Sequence, residues 1–169
     1  MGRLFGTDGA RGVANSELTC ELSMQIGRAA AMVLTENLSH RPKVMIGMDT
    51  RASSEMLEAS IAAGLCSVGA DVLLLGVVPT PAVAFLVKEY GYDAGVMISA
   101  SHNPFYDNGI KLINGRGEKM DDQTIADIEA YLDGNLAALG LEGDVPAARR
   151  EELGEIVDYV SGRNRYVGY

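Results

Sequence analysis

At 169 residues the chain has the length of one ordinary domain with room for an appendage. Its composition, 47% hydrophobic and 22% charged, is globular rather than disordered. A formal net charge of −9 with no block of lysines or arginines leaves out the basic footprint that nucleic acid requires, so no nucleic-acid partner is expected. Acidity overall leaves a phosphate ligand open, because a binding site works through local charge.

The opening Met1-Gly2-Arg3-Leu4-Phe5-Gly6 lacks the apolar core of a signal peptide and has glycine where a myristoylation signal wants Ser or Thr. In Leu4-Phe5-Gly6-Thr7-Asp8-Gly9-Ala10-Arg11-Gly12, three glycines indicate a backbone folded closely on itself, and Asp8-Gly9 is a turn signal. Arg11 in such a turn is either solvated or aimed at an anion. Leu22, Ile26, Ala29 or Ala30, and Val33 predict one face of a helix, with Thr19 as its cap and residues 38–42 as its end. Val44 to Met48 reads as a short buried strand. The Asp-x-Arg pair of Gly47-Met48-Asp49-Thr50-Arg51 after it reads as a salt bridge holding the loop.

Ser53 and Ser54 are expected to cap a second helix through Leu57, Ile61, Leu65 and Val68, stopped by Gly69. Val72 to Val78 is an almost continuous apolar run, expected of a strand covered on both faces. It is far too short to span a membrane, so no membrane partner is expected and the chain reads as soluble and cytoplasmic. Cys20 and Cys66 fall within the helical patterns without metal-ligand spacing and read as buried free thiols. Pro79-Thr80-Pro81 opens a third helix through Phe85, Leu86 and Tyr90, with Thr80 as cap.

Ala94 to Ile98 predicts a strand, and Gly109 to Ile113 a later one entered through the turn signal Asp107-Asn108-Gly109. Asp121 and Asp122 favour the start of a fourth helix, Thr124 to Leu132, closed by Gly134. Alternating helices and strands predict an α/β fold, a three-layer α/β/α sandwich around a mixed, mostly parallel sheet. Residues 1–140 are expected to form this domain. Residues 141–169 read as a linker and a truncated helical start of a second domain, with Ile156, Tyr159, Val160, Arg163 and Val167 at helical spacing.

Chemistry concentrates in Ile98-Ser99-Ala100-Ser101-His102-Asn103-Pro104 and Asp107-Asn108-Gly109-Ile110-Lys111. Ser101 sits in a predicted strand-to-helix loop, where a serine is usually a cap or turn residue. It lacks the Gly-x-Ser-x-Gly surroundings of a hydrolase nucleophile, and with only His40 and His102 present a separate triad base is hard to find. A rigid loop offering a hydroxyl at the end of a strand stands where open α/β sheets bind ligands. A phosphate there would need cations to offset roughly two negative charges. Lys111 either protects a sheet edge or simply meets solvent, or it serves as a phosphate clamp or proton shuttle.

Together these four segments resemble the α-D-phosphohexomutase family, and within it the branch whose substrate is glucosamine phosphate. The resemblance implies that Ser101 carries a phosphate, gives it to glucosamine 6-phosphate, and recovers the other phosphate from a bisphosphate intermediate. It implies Lys111 as acid/base and substrate contact, and His102 as an aid to proton transfer or positioning. It further implies Asn103 as a loop-shaping and substrate-binding residue and Arg11 as a contact of the phosphoserine region. Magnesium is implied as cofactor, bound in part by the phosphate on Ser101. The family completes that site with an Asp-Gly-Asp-x-Asp-Arg loop, and no such segment occurs in this sequence. The expected partners are a phosphorylated amino sugar and the missing C-terminal domains; a homodimer of the complete protein is compatible with the resemblance. A free-standing phosphosugar- or partner-binding module, or a mutase for another hexose phosphate, stands as the alternative.

Overall fold

The computed structural model describes residues 4–134. The linker and helical segment expected beyond residue 140 lie outside them. In chain order the elements are β1 (Phe5–Gly6), β2 (Gly9–Val13), α1 (Cys20–Glu36), β3 (Lys43–Met48) and α2 (Ser54–Cys66). β4 (Asp71–Val77), α3 (Thr80–Glu89), β5 (Ala94–Ile98), β6 (Asp107–Asn114) and α4 (Asp122–Leu132) follow. One six-stranded sheet runs in the order β1-β2-β6-β5-β3-β4.

Helices cover both faces, as the sequence predicts. Val44, Ile46, Val96, Ile98, Ile110 and Leu112 turn to one face and pack with α1, α2 and α4. The alternating residues Met45, Met97 and Ile113 meet Val83 and Val87 of α3 on the other. The expected mixed sheet is present, and its balance is more even than expected. Four strands share one direction, yet only the β3–β4 and β3–β5 pairings are parallel; β1–β2, β2–β6 and β5–β6 are antiparallel. The reason is local: β5 returns directly through β6, and the N-terminal hairpin then adds to β6.

Several local expectations are met by the side chains that carry them. Thr19 Oγ1 accepts from the Leu22 N–H at 3.1 Å and caps α1. Gly69 and Gly134 take positive φ, 94° and 74°, after α2 and α4. Other expectations are corrected. Ser53 and Ser54 make no cap, because buried Asn108 donates to both hydroxyls at 2.9 and 3.1 Å, and Ser54 donates onward to Asp49. Thr80 lies inside α3 with Pro79 at its cap position. Asp121 and Asp122 do stand at the start of α4 as expected, Asp122 in its first turn and Asp121 at the cap position with its carboxylate taken at 2.8 Å by Arg116.

Asp107-Asn108-Gly109 forms no turn: all three are in β6, opposite Val13, Gly12 and Arg11. The apolar run at 72–78 is an edge strand. Leu73 and Leu74 remain 43% and 52% exposed, since an apolar run reports burial only if a neighbour covers it. Cys66 is exposed and Cys20 half-buried, not core thiols. Leu57, Ile61, Gly64 and Leu65 form the buried stripe of α2, and Cys66 falls one step round the helix from it. Among the described residues no helix is long and apolar enough to cross a membrane.

On α2, Glu58 Oε1 is buried with no hydrogen-bond partner among the described residues. Burial first, and the neighbouring Glu55 second, push its carboxyl above the ordinary range. A raised native pKa adds stability that is complete at low pH and is lost as pH rises through it, so ionised Glu58 weakens the fold at neutrality. Glu58→Gln is expected to raise the melting midpoint by about 2 °C at neutral pH. No gain is expected near pH 3, and paired melts check both.

Candidate active site

The eight residues between β5 and β6 hold the serine. This loop joins two antiparallel neighbours and no helix follows it, which removes the capping reading of Ser101. Ser101 has φ 57°, left-handed backbone that costs a non-glycine residue of order 1 kcal/mol. Its amide donates to Ser99 Oγ at 3.0 Å, and its own Oγ stands exposed, 3.4 Å from His102 Nδ1.

What holds that conformation comes from the neighbouring strand. β3 runs parallel to β5, so the loop after β3 emerges beside the serine loop. Arg51, from that loop, reaches across and donates from Nη2 to the carbonyls of Ser101 (3.1 Å) and Asn103 (2.9 Å). Its Nη1 donates to those of Pro104 (2.6 Å) and Asp107 (3.0 Å). Nε donates to Asp49 Oδ2 at 3.1 Å. All five guanidinium N–H groups are thereby used. The local Asp49–Arg51 salt bridge expected from sequence is present, and its reach to the serine loop is the part that sequence reading missed.

Asp49 is itself fixed. Burial works against its charge, but hydrogen bonds from the Arg51 amide, Ser99 and Ser54, together with the Arg51 charge, prevail and hold its carboxyl below the usual range.

Arg11 and Asn103 close the other flank. Asn103 Oδ1 accepts from Arg11 Nη1 at 3.2 Å, while its Nδ2 donates to Asp107 Oδ2 at 3.0 Å. Arg11 Nη2 lies 3.5 Å from Asp8, and its buried Nε has no partner among the described residues. Gly109 makes room for this arginine: a β-carbon there would come within 2.7 Å of the Ser99 carbonyl oxygen and 3.1 Å of Arg11 Cγ.

Lys111 belongs to the interior of the sheet, between β2 and β5, so its edge-guarding role is ruled out. It shares the α3 face with Met97, its direct partner on β5. There it lines a cleft of about 300 Å³ with the 5–9 hairpin, Thr80 and Ala84 of α3, and acidic Asp8, Glu118 and Asp122. Acidic side chains thus stand near both Arg11 and Lys111. Ser101 does not line this cleft, which opens on the lysine side of the loop. His40, at the opposite end of the sheet, pairs with Asp93 at 3.0 Å and takes no part.

The residues fall short of a complete metal site. Among the described residues no group of three or more His, Cys, Asp or Glu is placed to hold an ion. Asp49 and Asp107, the carboxylates beside the loop, are engaged by Arg51, Ser54 and Asn103. From the described residues a metal ion would gain little beyond an oxygen of a phosphate, were one carried on Ser101.

Comparison with known proteins places the arrangement. A family model described as phosphoglucomutase/phosphomannomutase, alpha/beta/alpha domain I, matches residues 2–138. The chain is 64% identical over 157 residues to a phosphoglucosamine mutase of Caldicellulosiruptor bescii, covering 92% of this chain and 33% of that protein. It is 51% identical over 170 residues to one of Lachnospira eligens, covering 100% of this chain and 36% of that protein. A crystal structure of a phosphoglucomutase/phosphomannomutase family protein from Burkholderia thailandensis superposes with a TM-score of 0.66. Identity there is 28%, over 79% of this chain and 30% of that one. The chain spans about a third of the length of the curated relatives it matches. With its serine loop, hairpin and sheet order all in place, the chain belongs to the phosphoglucomutase/phosphomannomutase family, as an α/β/α domain I.

Proposed function

We propose that residues 1–140 are the phosphate-carrying domain of a phosphoglucosamine mutase, acting together with the further length that the relatives carry. The observation that carries the reading is Ser101, exposed in left-handed backbone on the loop that joins β5 to the Lys111 strand and whose Asn103 meets Arg11. Close similarity to two phosphoglucosamine mutases supports the sugar.

In this reading phospho-Ser101 transfers its phosphoryl group to the free O1 hydroxyl of glucosamine 6-phosphate. The hydroxyl loses its proton and Ser101 Oγ regains one. The resulting 1,6-bisphosphate turns over, returns its 6-phosphoryl group to Ser101, and leaves as glucosamine 1-phosphate. Lys111 carries the proton to and from Ser101, with His102 assisting. Arg11 offsets phosphate charge, and Asn103 keeps Arg11 against the loop. Catalysis of this kind rests on positioning and charge neutralisation rather than covalent rearrangement by the protein. Magnesium, when bound, would supply further neutralisation at the phosphate, with its remaining ligands from outside this chain.

The test joins residues 1–138 to the remainder of the Caldicellulosiruptor bescii enzyme and follows glucosamine 6-phosphate to glucosamine 1-phosphate. Turnover is expected, and Ser101→Ala is expected to lower it by at least about 10³-fold. A folded but inactive chimera, or an active Ser101→Ala form, overturns the reading in favour of a binding module. Faster turnover of glucose or mannose 6-phosphate overturns the sugar assignment alone.

A further inference from the structure

We propose that Arg51, oriented by Asp49, is a positioning residue that sets the Ser101 hydroxyl for phosphoryl transfer; the proposal rests on Ser101 as phosphate carrier. Three carbonyls of the loop, those of Ser101, Asn103 and Pro104, converge on one guanidinium with that of Asp107 at the start of β6. With its fifth N–H group on Asp49, Arg51 has no donor left for a ligand. Its charge therefore serves the loop and not the substrate, in contrast to Arg11, whose Nε is unpartnered among the described residues.

The geometry explains why an arginine is needed. Left-handed backbone at Ser101 is unfavourable by itself and persists only where surrounding bonds over-determine it. A planar fork with five fixed donors can bind four carbonyls and a carboxylate at once, whereas a lysine has three donors on one nitrogen. Because the peptide unit is planar and trans, a Ser101 carbonyl drawn toward Arg51 turns the following amide, that of His102, away from the guanidinium. That amide then faces away from the clamp, on a loop whose Ser101 side chain is exposed. Asp49 fixes the fork in turn, through Nε and through the Arg51 amide at 3.0 Å. Its second anchor is Ser54, which is tied to buried Asn108 on β6. The clamp thus links the loops after β3 and β5 to the strand that carries Lys111.

Two measurements test this. In the 169-residue chain, Arg51→Lys is expected to reduce hydrogen-exchange protection of the Ser101, Asn103 and Asp107 amides at least about 10-fold, leaving α1 amides unchanged. In the chimera with the Caldicellulosiruptor bescii remainder, Arg51→Lys is expected to lower kcat about 10²-fold with KM for glucosamine 6-phosphate within about 2-fold. Arg51→Ala is expected to regain part of that rate with millimolar guanidinium, and none with sodium at the same ionic strength. Unchanged loop protection or unchanged kcat overturns the proposal. So does a parallel loss of α1 protection, or of KM with kcat, because either marks a purely structural role. Ser101→Ala is the separate control: if it leaves turnover intact, the phosphate-carrier reading has failed, whatever Arg51 does.

Discussion

Gly64→Ala is expected to lower the melting midpoint by roughly 10 °C, about 3 kcal/mol, from one added methyl group. The reason lies where α1 and α2 cross. A β-carbon on Gly64 would collide with the Met24 carbonyl oxygen and lie 2.9 Å from its carbon and 3.0 Å from the Arg28 nitrogen. Gly27, on the facing helix, stands in the same relation to the Ile61 carbonyl. These contacts are with backbone, so no rotamer change relieves them and the helices must separate. Separation opens the packing of Ile26, Ala30, Leu57 and Ile61, all in the main core. Gly76→Ala is the informative comparison. Gly76 has positive φ with nothing within 4 Å of a β-carbon, so only local backbone strain of about 1 kcal/mol is expected. Thermal melts of both variants check the ratio; equal losses would show that the helix crossing is not close-packed.

Lys111→Met is expected to have the opposite profile, with little effect on the fold and a large one on chemistry. The side chain is half-buried in a central strand, and methionine keeps most of its apolar stem. What disappears is the ammonium in a cleft shared with Asp8, Glu118 and Asp122. In the proposed role of moving the Ser101 proton, it is expected to contribute about 10²–10⁴-fold to turnover in the chimera. Lys111→Arg keeps the charge but does not give up its proton near neutral pH, so its activity is expected to stay close to that of Lys111→Met. Recovery of most of the rate by arginine would move Lys111 from proton transfer to phosphate clamping. Rates and melts on the same samples separate the two.

How much of this was legible depended on the range of the interactions. The α1 helix could be read in full, because its apolar spacing and Thr19 cap are local. Ser101, His102, Asn103 and Arg11 could be named because they stand in motifs, and the structure brings Arg11 to Asn103 across 92 residues. Asp49 and Arg51 were legible as an adjacent pair, but the four carbonyls lie 50 to 56 residues away. Only the sheet order makes them neighbours. Knowing that β3 lies parallel beside β5 would have supplied the signal, since the loops after parallel neighbours emerge at the same end. Ser53 and Ser54 misled for a related reason. A serine before a helix is a good local cap, until a buried asparagine from another strand needs its oxygen. The exposure of Leu73 and Leu74 was illegible for want of a neighbour on β4.

The N-terminal hairpin has a consequence for how the protein is made. β2 pairs with no strand from the first half of the chain beyond β1; its other partner is β6, nearly 100 residues later. Phe5 is then fastened by its amide to Glu129 at 2.8 Å, 124 positions further on. The hairpin is therefore made before its partners and finds its place after them, once β3, β5 and β6 exist to receive it. Arg11 travels with that hairpin. The cation that meets Asn103 arrives only when the rest of the sheet is assembled, so a partly made chain has the serine loop before it has the arginine.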